Sequence, residues 1–274
     1  MAENRHFIFL SELGTLRALL LAAFFCGPNS MENTSYIALS RQAALWRQLD
    51  VVANNMANAN TPAYKGQEMM FKEFLVNTSS TAKEKGTKLS YVQDMGVLRD
   101  TREGPLVKTD NVLDFAVRGD GYFQIETEGG MRYGRNGHFR LDEGGMLVTD
   151  QGYAVMNAQG NPIIFAPNET NIQVSPDGTV STENGVVGKV KVVRFTNEQQ
   201  MRSIGNSLYD TTEDPQTVQR PQIMQGMLEE SNVQPVVEIT KMTELLRQYQ
   251  SVQQMIDREN DRQLKAFDAL VPKA

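Results

Sequence analysis

The chain has 274 residues, 40% of them hydrophobic, with 27 Lys+Arg against 33 Asp+Glu and a net charge of −6 at pH 7. That composition provides for a buried core and excludes wholesale disorder, and the negative balance argues against a nucleic-acid binder, which needs excess positive charge to displace counterions. A single cysteine, Cys26, and two histidines, His6 and His138, exclude an internal disulfide and a cysteine-based zinc site and weaken histidine-dependent enzyme chemistry.

Residues 1–30 differ in pattern from the rest of the chain. Ala18 to Phe25 form an apolar run far shorter than the about 20 residues a membrane-spanning helix needs. Glu3 and Glu12 offset Arg5 and Arg17, where a secretory signal would be clearly positive. Residues 1–30 are therefore expected to be a non-native extension, with Met31 as the functional start.

Residues 31–62 read as an N-terminal helix and its stop. Ala38, Gln42, Leu45, Leu49, Val52, Met56 and Ala59 are spaced 4-3-4-3-4-3, near the 3.5-residue period of a coiled-coil seam. Asn33, Thr34 or Ser35 is placed to cap a helix predicted from about residue 35 to 59, and Pro62 ends it by biasing Thr61 away from helical dihedrals. Within that span asparagine recurs at 54, 55, 58 and 60, against its helix propensity. Asn54 and Asn58 share a face, as do Asn55 and Asn58, and the alanines at 53, 57 and 59 leave room for close approach. The cluster reads as a hydrogen-bonding surface between helices or subunits.

Residues 63–109 read as an extended linker, polar and loop-like at 77–90. Residues 110–200 change grammar: 13 of the 21 glycines fall between 119 and 188 and separate short apolar runs. Leu113, Phe115 and Val117 alternate, as do Phe123 and Ile125; Asn136-Gly137 signals a two-residue type I′ hairpin. Further runs at 146–148, 153–156, 163–165 and 190–195 predict an antiparallel β domain. Residues 201–234 are a return connection.

Residues 235–274 predict the second long helix, opened by Pro235. One seam row is Ile239, Leu246, Gln253, Asn260 and Phe267; the other is Met242, Tyr249, Ile256, Gln263 and Leu270. A helix packed on a globular core would use such a stripe too, but polar residues in a seam can fix register and favour the interaction reading.

The chemistry-bearing residues form no catalytic constellation. Asp120, Asp142, Asp150 and Asp177 lie at predicted turns, where Asp-Gly is explained by backbone geometry, and none belongs to a calcium-binding loop. Gly119-Asp120-Gly121 lacks the rest of a dinucleotide fingerprint. His138 reads as a solvated strand residue, and Glu229-Glu230 as paired carboxylates without a pocket. No enzyme activity, metal or cofactor is expected.

The run ANNMANANTPAYK, residues 53–65, resembles the N-terminal signature of the bacterial flagellar axial proteins, the rod, hook and hook-associated subunits. YIALSRQAALWRQLD before it and EMMFKEFLV after it agree, as do LDFAVRGDGYFQIE, YGRNGHFRLDEGGMLVTDQGYAV and GMLEESNVQPVVEITKMTELLRQYQ further on. The resemblance implies an α+β fold whose terminal helices pair as a coiled coil, with an antiparallel all-β middle domain. It implies a rod subunit in the basal body, spanning the periplasm and transmitting motor torque. Its partners would be copies of itself, other rod subunits and the flagellar type III export apparatus, with no nucleic acid and no small-molecule substrate. Assembly or helix-interface roles are expected for Leu45, Leu49, Val52, Asn54, Asn55, Met56, Asn58, Asn60, Thr61, Pro62, Tyr64 and Lys65, and for Ile239, Met242, Leu246, Tyr249, Ile256 and Phe267. A distal-rod type of subunit, a secreted β-domain binding module and a hydrolase with an unseen site are the alternatives.

Overall fold

The computed structural model describes residues 29–77, 88–167, 169 and 171–270. The expected extension lies outside them up to residue 28, and so does most of the polar loop expected at 77–90. The architecture is α+β, with a helix near each end and an antiparallel β middle.

Helix α1 spans Asn29–Ala57 and α2 spans Pro235–Leu270. α1 begins earlier than predicted and takes Asn33, Thr34 and Ser35 into its body. The intrinsic penalty for such residues is below about 0.7 kcal/mol each and yields to context. At its end the Asn58 N–H still reaches the Asn54 carbonyl (3.1 Å), and the Asn58 side-chain amide donates to the same oxygen (2.9 Å). α2 starts at Pro235, whose missing N–H would be unpaired in a first turn in any case, and the Gln234 carbonyl accepts from Val237 and Glu238.

The described residues form two compact units, one from 29–46, 71–77, 88–94 and 247–270 and the other from 47–70 and the described part of 95–246. In the first, α1 and α2 run antiparallel: Gln42 Nε2 donates to Gln253 Oε1 (2.5 Å), and the Trp46 and Tyr249 rings lie 6.1 Å apart. Along α2 the buried positions are Glu238, Leu245 and Val252, at seven-residue steps. This corrects the first predicted seam row, which is displaced by one residue: Ile239, Leu246 and Phe267 are 52%, 45% and 67% exposed. The second row fares better, with Met242, Tyr249, Ile256 and Gln263 half-buried. Periodicity sets the spacing of a stripe, whereas its phase around the helix depends on tertiary contacts.

In the second unit, strand Tyr122–Thr127 is the spine of an antiparallel nine-stranded sheet and pairs with Gly130–Gly134, Ala154–Val155 and Val192–Arg194. Its pleat sends Phe123 and Ile125 into the main core with Phe115, Phe139, Leu147 and Val155. Tyr122 turns the other way, into a second cluster with Tyr133, Phe195 and Tyr209. Strands also occur in segments that read as connections. Gln222–Gln225 pairs with Phe115–Arg118, Met227–Glu229 with Leu106–Lys108, and Gln67–Asn77 with Lys88–Arg99.

Two turn expectations fared differently. Asp142 does serve its turn, Oδ1 accepting from the N–H groups of Gly144 (2.9 Å) and Met146 (2.7 Å). Asn136-Gly137 is not a hairpin turn. Neither residue has a positive φ, and the flanking strands Gly130–Gly134 and Phe139–Leu141 are not neighbours in the sheet. The tight hairpin lies instead at Glu128-Gly129, between the paired Thr127 and Gly130. Glycine is required at 137 for close approach: a Cβ there would sit 1.6 Å from the Phe115 carbonyl oxygen, while the Phe115 N–H donates to the Gly137 carbonyl (2.9 Å). Gly137→Ala should therefore lower the unfolding free energy by about 1–3 kcal/mol or more in urea titrations, because backbone rather than a mobile side chain must shift.

Candidate functional site

Separate stretches of the second unit converge on Glu229, which is 2% exposed. Its Oε1 accepts from Lys65 Nζ (2.5 Å) and from the Gly104 N–H (3.0 Å), and its Oε2 accepts from Arg135 Nε (2.7 Å). Lys65 donates again to the Arg102 carbonyl (2.7 Å). Arg135 distributes its other N–H groups over the carbonyls of Val117, Gly119 and Gly121, at 2.9 to 3.2 Å. Every charged atom is thus met by a counter-charge or a dipole, as burial requires. Burial pushes the Lys65 ammonium below its ordinary pKa, against the pull of the Glu229 carboxylate.

The backbone reinforces the same point. The Glu229 carbonyl accepts from Ala63 N–H (2.8 Å) and Glu230 N–H donates to the Pro105 carbonyl (2.9 Å). Ala63 is held at φ 56°, a left-handed conformation costing about 1–2 kcal/mol for a residue with a Cβ. At Gly104 a Cβ would lie 2.1 Å from the Glu230 carbonyl oxygen, so glycine alone fits there.

Beside this knot stands the asparagine cluster. Asn55, 3% exposed, reads both backbone groups of Gln67: its Nδ2 donates to the carbonyl (2.8 Å) and its Oδ1 accepts the N–H (2.9 Å). The same Nδ2 reaches Glu238 Oε2 in the first turn of α2 (3.2 Å). Tyr64 Oη donates to Asn54 Oδ1 (2.7 Å), and Thr61 Oγ1 to Asn58 Oδ1 (3.3 Å). Asn232 ties the return strand down, accepting from Gly66 N–H (2.8 Å) and donating to the Asp100 carbonyl (2.9 Å). Burial, then the neighbouring Tyr209 and Glu238, push the Tyr64 phenol up to about 12.

Of the residues singled out from the sequence, Leu45, Val52, Asn55 and Lys65 are buried. Leu49, Met56, Asn58, Thr61, Pro62, Tyr64, Met242, Tyr249 and Ile256 are half-buried, and Asn54, Asn60, Ile239, Leu246 and Phe267 are exposed. Sequence reasoning missed Arg135, Asn232 and the pairing of Glu229, whose only outward signal was a glutamate next to an apolar pair, Met227-Leu228. His138 is not merely solvated: its Nδ1 lies 2.7 Å from Asp114 Oδ1, a carboxylate also bound by Thr109 Oγ1 (2.6 Å) and Asn111 Nδ2 (2.9 Å). Among the described residues no group of histidine, cysteine and carboxylate side chains is placed to hold a metal ion. The arrangement clamps chain segments together.

Two measurements probe this geometry. Glu229→Gln leaves Lys65 and Arg135 as uncompensated buried cations and should cost about 3–5 kcal/mol in urea unfolding. At alkaline pH the unfolded Tyr64 ionises from about 10 while the folded phenol keeps its proton to about 12. The folded state then binds more protons, so stability falls as pH rises through that window. Tyr64→Phe should flatten this part of the pH–stability curve.

Each residue of the ionic trio lies in a segment matched by a family model. Residues 36–65 match the family described as flagella basal body rod protein, residues 116–182 the flagellar hook protein FlgE/F/G D1 domain, and residues 224–268 the flagellar basal body rod FlgEFG protein C-terminal family. Lys65, Arg135 and Glu229 fall one in each. The chain is 39% identical to the flagellar basal-body rod protein FlgF of Caulobacter vibrioides, over 88% of this chain and 98% of the relative. It is 35% identical to FlgF of Rhizobium meliloti over 81% of this chain and 91% of that protein. The Caulobacter rod protein FlgG is more distant, at 29% over 85% and 97%. By these likenesses the chain belongs to the FlgF family of flagellar basal-body rod proteins.

Proposed function

We infer that the chain is a structural subunit of the flagellar basal-body rod and polymerises through its terminal helices. The observation that carries the reading is the apolar surface these helices leave uncovered. On α1, Tyr36, Leu39 and Trp46 are 60%, 49% and 57% exposed; on α2, Leu264 is 63% exposed and joins Ile239, Leu246 and Phe267. Large apolar side chains left in water mark an interaction surface. Coiled-coil pairing of α1 with α2 would be completed by equivalent helices of neighbours, and head-to-tail contacts whose rotation does not close generate a filament.

In this reading the neighbours are copies of the chain and other rod subunits, FlgG among them, in the periplasm-spanning, proximal part of the rod. The rod passes motor torque, a role that uses no cofactor, nucleic acid or small-molecule substrate. Delivery by the flagellar type III export apparatus suits helices that are marginal until a neighbour covers them. The exposed Asn60 has an amide group available to such neighbours, as Asn54 has its Nδ2, its Oδ1 being taken by Tyr64 (2.7 Å), whereas Asn55 is committed within the chain.

The double variant Leu246→Asp/Phe267→Asp tests this directly, since both side chains lie at the surface. Its thermal melt should match the unaltered chain, while swarming in soft agar and recovery of the subunit in purified basal bodies should be lost. Normal incorporation of the variant would move assembly to another surface.

A further inference from the structure

The β domain carries a second feature that the helices do not account for. Arg118 ends strand Phe115–Arg118, Arg194 ends strand Val192–Arg194, and Arg220 lies between Gln216–Thr217 and Gln222–Gln225; all three line one cleft of about 470 Å³. Several other arginines of this unit are partnered: Arg132 by Asp210 (3.0 Å), Arg135 by Glu229, Arg102 by Asp100 (2.5 Å), and Arg99 by the Met201 carbonyl (3.2 Å) and the Tyr209 ring at 4.3 Å. Among the described residues the three cleft guanidiniums have no such partner. Glu103 and Asp120 also line the cleft without pairing with them; Glu103 Oε2 accepts instead from the Gly119 N–H (3.4 Å). Val117, 2% exposed, and the buried Pro221 form apolar wall, which strengthens any ionic contact made there.

We propose that this cleft docks carboxylates of the next copy of the chain in the rod, specifically the Glu126 and Glu128 pair at its hairpin tip. The proposal rests on the rod-subunit reading above. A head-to-tail contact joins two different patches of one molecule, so a subunit must present both halves of the match. Three cations that line one cleft repel one another until a counter-charge enters, and the guanidinium fork suits carboxylates in particular. In a chain of net charge −6, Glu126 and Glu128 are exposed and, among the described residues, without an ion-pair partner. Glu128 stands in the turn and Glu126 just before it on the strand, so one exposed tip carries both carboxylates.

Charge reversal tests the match. Arg194→Glu/Arg220→Glu and, separately, Glu126→Arg/Glu128→Arg should fold with unchanged circular dichroism and melting, yet each should reduce subunit recovered in basal bodies by about tenfold. Combining all four substitutions should restore recovery. Normal recovery of either double variant overturns the proposal, and so does a fourfold variant no better than the doubles, since the arginines would then have another occupant. Absence of the unaltered, tagged chain from basal bodies would instead remove the rod-subunit reading itself.

Discussion

One carboxylate, held out of water between a lysine and an arginine, sets the position of the segments around it. Glu229 could contribute as much stability as a well-packed apolar residue at best, because desolvating three charges offsets most of their attraction. What the trio contributes is selectivity. Strand Met227–Glu229 pairs with Leu106–Lys108 in a register that puts Glu229 opposite Leu106. A slip of one residue would turn the carboxylate to the other face and leave Lys65 and Arg135 buried and unpaired. An apolar residue in its place would tolerate the slip. The knot therefore acts as a register lock, and the left-handed Ala63 and the glycine at 104 are the local distortions it holds in place.

This division of labour separates the parts of the molecule. The β domain is closed by its own side chains, with a dense aromatic and aliphatic core and a buried ionic trio matched internally. The helices are the reverse: polar Gln42 and Gln253 meet in the seam and large apolar groups remain in water. A chain built this way has a finished core in its middle and apolar surface left open along its helices, as a polymerising subunit needs.

Much of the architecture was legible from periodicity and turn residues. The two long helices, the strand carrying Phe123 and Ile125, and Asp142 as a turn former all came from local rules, since each depends on neighbours within a few residues. Phase did not: the seam on α2 falls one position from where the apolar count placed it, because the apolar residues Ile239, Leu246 and Phe267 keep the same seven-residue step as Leu245 and Val252. Asn136-Gly137 misled for a related reason. The same dipeptide that favours a tight turn also serves where another backbone passes within contact distance, and only the fold reveals the passing chain. The Glu229 knot was illegible in principle, since its members are scattered across the chain and each is an ordinary charged residue where it stands.

That scattering has a temporal consequence. Lys65 and Glu229 are separated by 164 positions, so the loop their contact closes is long and its formation is disfavoured until other contacts have drawn the segments together. A chain emerging from its N-terminus presents Lys65 first and Arg135 next, and neither can be neutralised until the strand at Met227 has also emerged. A chain that has emerged only in part consequently carries two cations in search of one carboxylate, which disfavours early closure of the finished domain. The lock doubles as a completeness check: its charges balance only once residue 229 is present.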